Sequence, residues 1–230
     1  MKTWLIGIVL LLTSSLIFAQ ETGSPDDPIP FSFEQAFYAY FNKTKKTPSA
    51  DDTETFIKEV YEDEYQQYWY RNDEFGKRKV LQKAEPQIKN GIAQFNSKAW
   101  YVTAKEIKLD EYDFTKEGFP ITYYSGAVSV GNNNFDALMV FSNSDNFQFL
   151  KMTPDAADAF LKSRRNWSGS ANRDIIMIIY FKVADLNKAF DDLYKKRKYF
   201  AGFLPLHGII EKVEVYDKYN EVVVGELTKK

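Results

Sequence analysis

The sequence predicts an α+β protein, with helices over residues 32–96 packed on a mainly antiparallel β-sheet of about seven strands over residues 97–230 as one globular unit. Three observations predict it. Up to residue 96 apolar side chains recur at steps of three and four, the period of helices with one buried face. From about Lys98 the period falls to two, and β-branched and aromatic residues take over. The chain has no cysteine, so a packed core must hold it together, and 44% hydrophobic residues supply one.

The first residues read differently. Lys2 is followed by an apolar run from Trp4 to Leu12, interrupted by Thr13-Ser14-Ser15 before Leu16 to Ala19. That is the layout of a secretory signal peptide over residues 1–19, too short for the about 20 consecutive apolar residues of a membrane span. Cleavage after Ala19 leaves 211 of the 230 residues. Residues 20–31, rich in proline and carboxylates, predict a flexible tether.

A first helix is expected from Ser32 or Phe33, with Phe37, Tyr38 and Phe41 on one side, ending in the lysine-rich segment before Pro48. A second is capped by Ser49 and carries the stripe Phe56, Ile57, Val60, Tyr61, Tyr65, Tyr68, Trp69. A third follows Asn72-Asp73 and runs through Val80, Ala84 and Ile88 to Phe95, with Pro86 expected to bend or split it. The strand candidates are Ala99–Leu109, Ile121–Val130, Phe135–Ser142, Phe147–Met152, Asp174–Ala184, Gly208–Tyr216 and Glu221–Leu227. Gly131 to Asn134, Ser144 to Asn146 and Lys218 to Asn220 suit hairpin turns. Asp174–Ala184 is apolar on both faces, which places it mid-sheet under a second layer. Thr153-Pro154-Asp155 starts one interposed helix with a hydroxyl cap and a first-turn proline, and another begins at Asp185.

Charge and residue types then exclude whole classes of function. Removing Lys2 from the 30 basic residues leaves 29 against 32 acidic ones, a net charge of −3 that argues against a nucleic-acid partner. Without cysteine there is no thiolate metal site, cysteine nucleophile or lipid-accepting thiol. His207, the only histidine, sits in a turn entering a strand and predicts a structural role. The carboxylates Asp110, Glu111, Asp113 and Glu117 lie close together, with Asp136 further on. They are the only basis for acid–base catalysis, although neighbours on one loop usually face water. No phosphate-cradling glycine loop occurs. No catalytic, metal or cofactor residue is therefore assigned.

Tyr112-Asp113-Phe114 followed by Gly118-Phe119-Pro120 is the most individual stretch of the chain. With Asn72-Asp73-Glu74-Phe75 upstream and Asn172-Arg173-Asp174-Ile175 downstream, it resembles a family of exported bacterial proteins catalogued as a domain of unknown function. The likeness covers residues 72–183. It implies a shared fold and an envelope address but brings no activity.

Aromatic residues make up 17% of the chain. Trp167 with Arg164 and Arg165 in a polar loop, Trp69 in Tyr68-Trp69-Tyr70, and Tyr112 are the candidate partner-binding residues. The expectation is an exported, periplasmic or secreted binding or structural module for a protein or glycan, with no cofactor and no membrane insertion after cleavage. The alternative is an exported hydrolase using paired carboxylates.

Overall fold

The computed structural model describes residues 23–121, 126–131, 137–196, 204–217 and 222–228. The expected leader and Asp136 lie outside them, as do the turns proposed at residues 132–134 and 218–220.

The class is α+β, with the helices first. The expected tether is corrected from residue 23 onward, where the chain is part of the fold. Gly23 takes a positive φ of 51° and its carbonyl accepts from Trp100 N–H at 2.7 Å. Strand β1, Ile29–Pro30, then pairs in parallel beside the next strand of the sheet. Proline is tolerated there because β1 is an edge.

Helix α1, Phe33–Thr44, starts where Ser32 Oγ accepts from Gln35 N–H and stops at Lys45 in the left-handed region. Helix α2, Ala50–Val60, has a reciprocal capping box between Ser49 and Asp52. The single helix expected through Trp69 is two: α3, Glu62–Trp69, follows a break at Tyr61, whose φ of −123° is not helical. Helix α4, Glu74–Gln94, contains Pro86 without being split. Its Gly91 lies under the ring of Tyr38, where a Cβ would come within 2.2 Å of the ring. Only glycine lets α1 and α4 approach this closely.

The sheet strands are β2 (Tyr101–Lys108), β4 (Ala127–Val130), β5 (Ala137–Phe141), β7 (Asp174–Ala184), β8 (Leu204–Asp217) and β9 (Val222–Thr228). A separate hairpin joins β3 (Gly118–Pro120) to β6 (Phe149–Lys151). The short β1 and β3 were not expected. Residues 144–147, read as a turn running into a strand, form a 3₁₀ turn before β6. Helix α5 is Pro154–Lys162, capped by Thr153 as expected. Helix α6, Lys188–Lys196, begins later than Asp185, and Asn187 Oδ1 accepts from Phe190 N–H.

The strand order is β1-β2-β7-β8-β5-β4, with β9 also pairing β8. Most pairs are antiparallel, while β5 runs parallel to the start of β8. Along β7, Ile175, Met177, Ile179, Phe181 and Val183 are buried in the main core with the helices. Ile176, Ile178 and Tyr180, on the other face, are only half buried, so the expected second layer of helices covers one face of the strand. Beyond β5, helix α6 covers that outer face with Phe190 on Ala127, Leu138 and Val140.

Lys105 shows how strongly the sheet rolls. Its Nζ donates to Ala127 O at 3.3 Å, linking β2 to β4. In a flat sheet these strands, four spacings apart, would be separated by about 19 Å. The rolled edges meet instead, and burial of the ammonium pulls the Lys105 pKa down.

The sign of the linkage follows. A lysine whose folded pKa lies below the unfolded value of about 10.4 binds a proton more readily in the unfolded chain, so its contribution to stability rises with pH between the two values. In urea unfolding at pH 7 and pH 9.5, wild-type protein is therefore expected to gain stability relative to Lys105→Met at the higher pH. A difference that stays constant would mean that the ammonium is fully solvated.

Candidate functional site

Lys108 at the end of β2 is paired with Asp174 at the start of β7, and Leu109 N–H donates to Arg173 O at 3.0 Å. This register brings two loops to one end of the sheet: residues 109–117, leaving β2, and residues 163–173, entering β7.

The first loop holds the YDF segment. Asp113 Oδ1 accepts from the N–H groups of Thr115 and Lys116 at 2.9 and 3.0 Å, and a backbone bridge joins Asp113 to Gly118. Tyr112 hydroxyl donates to Met152 O at 2.8 Å, and its ring meets Phe114 and Phe119 edge-on at 4.9 and 5.1 Å. Tyr112 thus anchors the loop, and burial raises its hydroxyl pKa. Phe114, beyond it, is left 79% exposed.

The second loop is tied by Asn166, whose Oδ1 accepts from Ser168 N–H, Ser168 Oγ and Ser170 N–H at 3.0, 2.7 and 3.0 Å. Gly169 turns the chain with φ 82°, and Arg165 bridges Ala171. The indole of Trp167 stands at the tip, 99% exposed.

Arg164 and Arg165, adjacent in sequence, have opposite fates. Arg165 is exposed beside Trp167, as a partner-binding residue must be. Arg164 is corrected from that role, because it is buried. Its Nε lies 3.6 Å from Asp217 Oδ1, with both side chains 1% exposed, and its guanidinium also donates to Asp174 O and covers the Phe160 ring. Asp217 closes β8 with its side chain turned inward, so Arg164 fixes the root of the Trp167 loop to the core. Trp69, the remaining candidate, lies on α3 and stacks on Tyr65 at 4.9 Å with Lys77 over its ring. Tyr70 and Phe75 are the exposed rings there, each 82% exposed.

His207 is buried with both ring nitrogens engaged. Asp185 O can only accept, so Nδ1 donates to it at 2.9 Å, while Nε2 contacts Ser142 Oγ at 2.9 Å and the ring stacks on Phe190. Glu111 and Glu117 are exposed and Asp110 and Asp113 partly so, on one loop rather than across a cleft.

A cleft does exist elsewhere, and none of those carboxylates lines it. About 450 Å³ lies between the N-terminus of α1, the end of α2 and the meeting edges of β2 and β4, and Glu34, Glu59, Ser32, Thr103 and Ser129 contribute polar groups to it. Glu34 and Glu59 carried no signal in the sequence, since each is one more carboxylate on an amphipathic helix.

The chain matches a family described as "Domain of unknown function (DUF4852)" over residues 49–163. It belongs to this family. The DUF4852 segment includes Tyr112 to Pro120 and Asn72 to Phe75, and it ends before Trp167 and before Asn172 to Ile175, which the resemblance had included. No curated protein and no solved structure matches the chain.

The contrast between the two arginines is measurable. Arg164→Ala leaves Asp217 buried without its cation and is expected to cost about 3–5 kcal/mol in urea unfolding. Arg165→Ala should stay within about 0.5 kcal/mol. Equal costs would remove Arg164 from the root of the loop.

Proposed function

We propose that this DUF4852 protein is a non-enzymatic module of the bacterial cell envelope that binds a partner protein through Trp167, with Phe114 and Arg165 on the same end of the sheet. The observation that carries the reading is the 99% exposure of Trp167 on a loop held by Asn166 and rooted by Arg164. A free indole in water is costly to leave uncovered, and a pre-ordered loop loses little conformational freedom on docking. Among the described residues no other ring touches Trp167, whereas a glycan is gripped by several rings lining a groove. A single projecting indole fits an apolar pocket on a protein. The exposed Arg165 favours a carboxylate-rimmed one.

Export is part of the proposal. Its support is the basic start, short apolar run and hydroxyl break of residues 1–19, and no helix among the described residues is long and apolar enough to cross a membrane. A periplasmic or secreted address follows.

Crosslinking in intact cells tests the reading. Trp167→Ala should leave the melting temperature unchanged and weaken partner capture by about 2 kcal/mol, roughly 30-fold, the size of an interface hot spot. Capture unchanged in a Trp167→Ala, Phe114→Ala double variant would sink the proposed surface. N-terminal sequencing of the same product should begin near Gln20, and a chain retaining Met1 in the membrane pellet would refute the address.

A further inference from the structure

The cleft between the rolled sheet and the helices has a chemistry that the exposed loops do not use. Its walls are Phe31, Phe33, Val60 and Val130, and its polar residues are Glu34, Glu59, Ser32, Thr103 and Ser129. No basic side chain lines it among the described residues. Lys105, two residues along β2 from Thr103, is turned to Ala127 O.

Glu34 is the fixed element of this cleft. Its Oε1 accepts from Tyr38 hydroxyl at 2.6 Å and from Gln87 Nε2 at 2.7 Å, and Gln87 Oε1 accepts in turn from Tyr61 hydroxyl. Burial, then the bond to Glu34, pushes the Tyr38 pKa well up, and burial raises that of Tyr61, so both hydroxyls keep their protons at neutral pH. Both bonds fall on Oε1, and among the described residues Oε2 receives none. Three side chains, from α1, α4 and the α2–α3 junction, therefore hold one carboxylate at the wall of an accessible space.

We propose that this cleft binds an organic cation, a primary ammonium or guanidinium group on an apolar stem. The head would be taken by Glu34 Oε2 with the Ser32 or Thr103 hydroxyl, and the stem would lie against Phe31 and Phe33. A charge-assisted bond to a carboxylate supplies the polar part of recognition, and aromatic walls favour a cation with a hydrocarbon tail. A volume of about 450 Å³ is that of a small-molecule site. A calcium ion would need six to eight oxygen ligands, and among the described residues no three carboxylate or imidazole groups gather to provide them.

The test is calorimetric titration of the purified full chain with cadaverine, a free diamine, and with N-acetyl-arginine methylamide, a peptide-borne cation. Saturable binding of at least one probe is expected, and which one binds identifies a free amine or a peptide side chain as the source. Glu34→Gln keeps the shape and removes the charge, and should weaken binding roughly 10- to 100-fold. The proposal is overturned if neither probe binds at millimolar concentration, if Glu34→Gln binds as wild type does, or if calcium binds and the organic cations do not.

Discussion

One edge of β8 has to be shared. Its residues 204–208 pair in parallel with β5 and residues 212–217 pair antiparallel with β9, both on the side away from β7. Between them the backbone of Ile210 would be left bare, at a cost of about 1–3 kcal/mol for each unpaired buried group. Asn143 fills the gap. Its Oδ1 accepts from Ile210 N–H at 3.0 Å and its Nδ2 donates to Ile210 O at 2.8 Å, so one carboxamide replaces a residue of ladder. The register with β7 shifts at the same level, between Tyr180 and Phe181. Such a bulge increases twist and bends the strand. The sheet rolls from there until Lys105 meets Ala127, and the rolled sheet is what leaves a cleft under α1 and an end where two loops stand together.

Elements specified by local chemistry were legible in the sequence. Ser49 with Asp52 and Thr153 with Pro154 placed helix starts because a cap is a contact over three residues. Asp174–Ala184 was found with its bounds intact, since β-branched and aromatic residues dominate its apolar run and favour a strand over a buried helix. What failed depended on remote partners. The parallel pairing of β5 with β8 joins residues more than sixty apart, and nothing in Ala137–Phe141 announces its direction. Likewise the stripe from Phe56 to Trp69 keeps helical spacing through Tyr61. The break there accompanies a Tyr61 hydroxyl bound to Gln87 on α4, a contact invisible in the stripe itself.

The candidate site divides along the same line. Trp167 was legible because a tryptophan among asparagine, serine and glycine has no local reason to be buried. Arg164 was not, since it and Arg165 look alike and the choice between them is made by Asp217, fifty-three residues later, turned inward by strand alternation. Glu34 was not legible either. Its place at the cleft depends on Gln87 and on a sheet edge, Ser129 to Gly131, that reaches α1 only because the sheet rolls.

The DUF4852 segment also bears on what the rest of the chain must supply. Residues 49–163 contain β2 and β5, yet in the sheet these strands are separated by β7 and β8, which come from residues 174–217. The two strands that join them, with Asp217 that holds Arg164, lie outside the matched residues. The same is true of α1, whose Phe37 and Phe41 enter the core and whose Glu34 meets the cleft. The matched segment is therefore not a folding unit in this protein. Its β2 would have no antiparallel neighbour, and its β5 only the short β4. Residues 110–117, the most individual in the segment, are tied within it to Pro120 and Met152, while Leu109 at their start is held by Arg173 from beyond the match. Any surface these loops form is a property of the whole sheet rather than of the matched stretch, since their spacing is set by the β2–β7 register.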